Sequence, residues 1–142
     1  MKTIQLILAS RSPRRKAVLQ QIGVNFIIAE SNFKEKKTVR YLTTASVMKL
    51  AKDNARKKAL MIANKINKGT VLGVDTIVLC QGKIIGKPKD PKDAMVILRF
   101  LNGKMHEVFS GIALVKKKGR RTQVLVDYEV TKVYFRKLTN QE

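Results

Sequence analysis

Hydrophobic positions along the chain fall into two patterns, short continuous runs and longer stretches with helical spacing. The runs "IQLILA" (4–9), "VNFIIA" (24–29) and "TVLGVDTIVLC" (70–80) have the length and aliphatic content of buried strands. Val47, Ala51, Ala55, Ala59, Ile62 and Ile66 recur at helical spacing and predict a long helix from near Thr44 to a stop at Gly69. Ser12 as cap, Pro13 in the first turn and Gly23 as stop predict a helix over 13–22. Asp90 and Pro91 open another, whose apolar positions Ala94, Leu98 and Leu101 run to Asn102 and Gly103. Gln81 and Gly82 read as a hairpin turn into "KIIG". Two late strands, 106–115 and 122–135, flank a basic turn "KKKGRR". Apolar residues of the last strand occupy even positions from 124 to 130 and then Val133 and Phe135, a change of face that predicts a bulge. Residues 30–43 are polar and irregular.

Strands alternate with helices early and form hairpins late, which predicts an α/β fold, a mixed twisted sheet with flanking helices. With 142 residues and no linker or repeat, residues 1–142 form one domain. An apolar fraction of 44% excludes general disorder. The lone Cys80 excludes an intrachain disulfide or a cysteine metal cluster and suits a reducing compartment. "IQLILA" meets Arg11 before a signal-peptide core has formed, and no stretch approaches membrane-spanning length, so a cytoplasmic location is expected. The formal charge of +20 points to an anionic partner without saying which. Most of the 30 lysines and arginines read as a solvated surface. Few aromatics (6%) and no DNA- or RNA-binding motif argue against a nucleic-acid partner.

Three segments carry candidate chemistry. "SRSPRRK" (10–16) places Arg14 and Arg15 in a first helical turn, where positive charge opposes the helix dipole and the free N–H groups favour an anion. Bidentate guanidinium donors suit phosphate oxygens. A plain Ser-Pro capped helix with exposed arginines explains the segment equally well. Asp75 is the one charged residue in an eleven-residue apolar run, and a carboxylate there is costly unless paired, metal-bound or catalytic. Taken alone it also fits a structural Asp at a strand end. "GKPKDP" holds Lys87 between Gly86 and Pro88, a fixed point charge suited to phosphate, although most such sequences are simply turns. His106, the only histidine, has no second histidine or nucleophilic partner in view and reads as structural.

Taken in order, "LILASRSPRR", "GVDTIVL", "GKPKDPKDAMVILRFLNGKMHEVFSGIAL" and "VTKVYFRKLT" closely resemble the Maf family, over nearly the whole chain. The resemblance implies an inosine-triphosphatase-like α/β fold that often dimerises as a homodimer. It also implies hydrolysis of a nucleoside triphosphate to monophosphate and pyrophosphate with a divalent metal, Mg or Mn, in nucleotide housecleaning. By position, Asp75 matches the family's proton acceptor. Ser10, Arg15 and Lys87 match phosphate-contacting residues, and Glu35 matches a glutamate that with Asp75 holds metal. Arg14 and Thr76 match the positions that set base choice, in the dTTP/UTP pattern.

This chain departs from the family in three places. Lys34 replaces the first acid of the metal loop, and Asn54 stands where the family has a lysine facing the site, with Lys52 or Arg56 able to compensate only if the helix shifted. The sequence also ends at "LTNQE", ahead of the family's C-terminal "DKAGAYGIQG"-like segment, so the fold is expected to be C-terminally incomplete. The alternatives to a working pyrophosphatase are a degenerate Maf-like nucleotide binder and, less favoured, a basic nucleic-acid-binding protein.

Overall fold

The computed structural model describes residues 6–40 and 42–141. Nine elements follow in the order β1 (Leu6–Leu8), α1 (Pro13–Gln21), β2 (Phe26–Ile28), α2 (Thr44–Ala63), β3 (Lys68–Cys80), β4 (Lys83–Ile85), α3 (Pro91–Leu101), β5 (Met105–Lys118) and β6 (Arg121–Tyr134). They build a mixed six-stranded sheet, β2-β1-β3-β5-β6, with β4 also paired to β3. β1 runs parallel to β2 and β3, whereas β3, β5 and β6 form an antiparallel meander. The α/β class and the mixed sheet are those expected from the pattern of elements. Of the predicted first run, positions 4 and 5 lie outside the described residues.

The punctuation of the sequence acts as its chemistry requires. Ser12 Oγ accepts a hydrogen bond from the Arg15 amide, with Pro13 at the start of α1. Asp90 caps α3 in the same way through the Asp93 amide at 2.7 Å. α2 opens on a reciprocal capping box between Thr43 and Ser46. Gln81 (φ 48°) and Gly82 (φ 76°) form the predicted tight hairpin turn, both in the left-handed region.

Three expectations fail, each for a reason visible in the sheet. α2 ends at Ala63 and not at Gly69, because β3 starts pairing with β5 at Lys68 and draws the chain away. The Lys117 ammonium donates to the Ala63 carbonyl at 2.8 Å and helps to close that helix end. The basic turn shrinks to Gly119 and Arg120, since ladder pairing continues through Lys116, Lys117 and Lys118. No bulge interrupts β6, whose register with β5 is unbroken from Met105↔Tyr134 to Lys118↔Arg121. β6 is an edge strand, exposed along most of its length, so neither face forces the register to shift.

α2 covers one face of the sheet. Its Ala55, Ala59, Ile62 and Ala63 pack with Ile7, Val71, Ala113 and Val115. Toward its other end Val47, Leu50 and Ala51 pack with Ile77 and Phe109. Two glycines allow the close seating. A Cβ on Gly73 would lie 2.1 Å from the Ala55 carbonyl oxygen, and one on Gly111 would lie 2.4 Å from the Ala51 carbonyl. Gly111 is also the cross-strand partner of Asp75, so helix and carboxylate meet where no β5 side chain intervenes.

Gly73→Ala and Gly111→Ala should therefore each cost about 3 kcal/mol or more, since backbone on both sides must move. Gly86→Ala, in open space without a positive φ, should change stability by less than about 0.5 kcal/mol. Urea denaturation of the three variants reads the difference.

Candidate active site

The site lies in a gap along one edge of β3. On that edge β1 pairs with Thr70, Val71 and Leu72, and β4 pairs with Val78, Leu79 and Cys80. Residues 73–77 between them have no strand partner there among the described residues, while their other edge is fully paired with β5. The chain leaves the carboxyl end of β1 beside this gap and turns into α1. In an open α/β sheet such a crevice is where ligands bind.

Adjacent strand residues point to opposite faces, so the gap gathers side chains from α1 on one face and α2 on the other. On the α1 face, Arg15 Nη2 donates to Thr76 Oγ1 at 3.3 Å and Arg15 Nη1 donates to Ser10 Oγ at 2.9 Å. Ser10 Oγ also accepts from the Ser12 amide at 3.2 Å, which fixes the loop that carries it. Burial lowers the Arg15 pKa and Arg14 lowers it further, against the pull of Asp75. Arg14 is exposed on the same helical turn.

On the α2 face Asp75 is only 3% exposed. Its Oδ2 accepts from Asn54 Nδ2 at 2.9 Å, and its Oδ1 lies 3.8 Å from Lys58 Nζ. Asn54 also ties down the irregular 30–43 segment by exchanging hydrogen bonds with the Lys36 backbone, donating to its carbonyl and accepting from its amide. That contact holds Glu35 in place, and its carboxylate pairs with Lys58. The Lys58 ammonium donates to the Val74 carbonyl at 3.2 Å, within the unpaired stretch of β3. Its pKa falls to about 8, chiefly through burial; Asp75 opposes the drop, while Arg15 and Lys87 add to it. Lys87 is thus within electrostatic reach, on the exposed loop between β4 and α3.

Ser10, Arg15, Glu35, Asp75 and Thr76 are therefore joined by contacts around one gap, with Lys87 in electrostatic reach of Lys58 and Arg14 exposed beside Arg15. His106 stands apart from them, five residues along β5 from Gly111 and edge-to-face with Phe135. Sequence reasoning missed Lys58. Lys52 and Arg56 do not take the place of a site-facing lysine: Lys52 lies over the Tyr128 ring and Arg56 is exposed. The signal for Lys58 was present, because 47, 51, 54, 55, 58 and 59 fall on adjoining stripes of one helix face.

Lys58 and Arg15 act on the carboxylates Glu35 and Asp75, and Arg14 and Lys87 add electrostatically to the same cluster, a net positive balance suited to a polyanion. Glu35 and Asp75 converge on one cationic centre, and hard divalent cations take oxygen donors of this kind. No group of three or more His, Cys, Asp or Glu that could hold a metal occurs among the described residues, so ligand or water oxygens would complete the shell. A concavity of 250 Å³, lined by residues including Lys36, Leu50, Asp53 and Asn54, adjoins the site. A larger, open one of 480 Å³, lined by residues including Lys16, Gln20 and Phe26, holds none of the site residues and shows no chemistry of its own.

The lowered Lys58 pKa has a stability consequence. Below about pH 8 the ammonium is charged in both folded and unfolded chains, and its burial cost is fully present. As pH rises from there toward 10.5, the ordinary value of a lysine, the folded chain binds fewer protons than the unfolded one and stability is regained. Wild type should thus gain stability relative to Lys58→Met between pH 7 and pH 10 in urea titrations. A difference that stays flat would contradict the lowered pKa.

The sequence profile of the Maf-like protein family matches residues 5–142. The dTTP/UTP pyrophosphatase of Carboxydothermus hydrogenoformans is 37% identical over 139 residues, covering 98% of this chain and 71% of that protein. Those of Alkaliphilus oremlandii and Elusimicrobium minutum are 41% and 42% identical, with 97% and 98% of this chain and 69% and 72% of theirs covered. The chain thus spans about seven tenths of the length of these relatives. The profile match and these identities agree with the fold and the gap in β3, and the chain belongs to the Maf family.

Proposed function

We propose that this protein is a nucleoside triphosphate pyrophosphatase that hydrolyses dTTP and UTP to the monophosphate and pyrophosphate, in the cytoplasm where these nucleotides are made. The observation that carries the reading is the buried Asp75 carboxylate, set beside a cationic gap and oriented by Asn54. The activity for which the relatives are named supports the choice of reaction.

Arg15, Lys87 and the positive end of the α1 dipole bind the triphosphate oxygens, with Ser10 holding the Arg15 guanidinium toward them. Glu35 and Asp75 would hold a magnesium or manganese ion, which when bound neutralises charge on the phosphates and on the transition state. Asp75 accepts a proton from water while the water oxygen bonds to the α-phosphorus. The α–β bridging P–O bond breaks, and its electron pair leaves with pyrophosphate. The hydrogen bond from Asn54 fixes one carboxylate oxygen, so water meets a base of set direction. Thr76 accepts from Arg15 and keeps its own O–H to donate, and Arg14 adds donors at the same mouth. Such donors suit a pyrimidine edge with carbonyl acceptors.

Pyrophosphate release should therefore be faster from dTTP and UTP than from purine triphosphates, in the presence of magnesium or manganese. Asp75→Asn should lower kcat roughly a thousandfold while triphosphate-dependent thermal stabilisation, carried mainly by Arg15 and Lys87, persists. Stabilisation by triphosphate without release from any of them would instead identify a nucleotide-binding protein that has lost turnover.

A further inference from the structure

The Lys58 ammonium sits where two demands meet. It is bound by Glu35, lies 3.8 Å from Asp75 and donates to the Val74 carbonyl, yet Arg15 and Lys87 both repel it. A buried cation so placed neutralises two carboxylates that would otherwise face each other across the gap. It also stands at the end of a flexible four-carbon stem, so its head can change partners without moving α2. A divalent cation on Glu35 and Asp75 would remove the ionic attraction that holds the ammonium there and leave the Val74 carbonyl as its one favourable contact against the repulsion of Arg15, Lys87 and the metal. The nearest new source of negative charge is then the triphosphate held by Arg15 and Lys87.

We propose that Lys58 is a switching counter-ion and substrate-positioning residue: it occupies the cation place between Glu35 and Asp75 in the nucleotide-free protein and passes to the phosphates when metal and substrate bind. This inference rests on the proposed triphosphate site and assigns that site a residue of this chain. Asn54, one turn earlier on the same face, keeps Asp75 oriented during the exchange.

Two binding measurements on the folded protein give opposite signs for one substitution. Lys58→Met removes the resident cation, so Mn²⁺ alone should bind the nucleotide-free variant more tightly than wild type, by roughly tenfold. Inorganic tripolyphosphate with Mn²⁺ should bind the same variant more weakly, again by roughly tenfold. Lys58→Arg, which keeps the charge, should restore both affinities toward wild type. Thermal melts without ligand identify any variant that has failed to fold, and Lys58→Gln then replaces Lys58→Met. An unchanged or lowered Mn²⁺ affinity, or an unchanged tripolyphosphate affinity, overturns the proposal. If both shifts occur and no triphosphate is hydrolysed, the switching role stands and the pyrophosphatase reading falls.

Discussion

The seating of α2 against the sheet at Gly73 and Gly111 is the contact on which the site depends. At both positions the helix backbone occupies the space that a Cβ would fill. Only at that distance can Asn54 reach the Asp75 carboxylate while Lys58 reaches both the Val74 carbonyl and Glu35. The small residues Ala51, Ala55 and Ala59 continue the same close approach along the helix. Core packing and active-site geometry are thus one feature of the sequence: glycines on two strands opposite alanines on one helix. A buried carboxylate is costly alone, and here the helix that covers it also supplies its partners.

The sheet gives this arrangement its opening. β3 is thirteen residues long, but β1 and β4 cover only its two ends along one edge. The uncovered middle presents Asp75 and Thr76 to opposite faces, where α2 and α1 respectively supply partners. The large positive charge of the chain is mostly elsewhere. Lys118 pairs with Lys68, seven residues along β3 from Asp75 and so about 23 Å away at strand spacing. The basic hairpin tip is a solvated surface at the far end of the sheet, while Arg14, Arg15, Lys58 and Lys87 belong to the gap.

Much of this was legible in the sequence because capping and turn residues act locally. Ser12, Asp90 and Gln81 with Gly82 each do what their chemistry requires, and the α/β class follows from the order of runs and periodic stretches. Arg15, Asp75 and Lys87 stood out because charge on a tight loop or in an apolar run calls for a reason, and Ser10 entered through the resemblance to the Maf family. What was not legible depends on pairing between distant segments. The end of α2 is set by β5 capturing Lys68, and the straightness of β6 by the lack of a covering layer. Lys58 was hidden within "ARKK", a basic patch of surface type. Only the depth to which α2 is buried shows that this one lysine points inward.

In the proposed mechanism, attack of water on the α-phosphorus, directed by Asp75, is the step that the whole arrangement serves. Turnover of dTTP in H₂¹⁸O, followed by mass spectrometry of the products, tests it most directly. The mechanism predicts one labelled oxygen in dTMP and none in pyrophosphate. Label in pyrophosphate, or labelled orthophosphate with dTDP, would place the attack on a different phosphorus and contradict it.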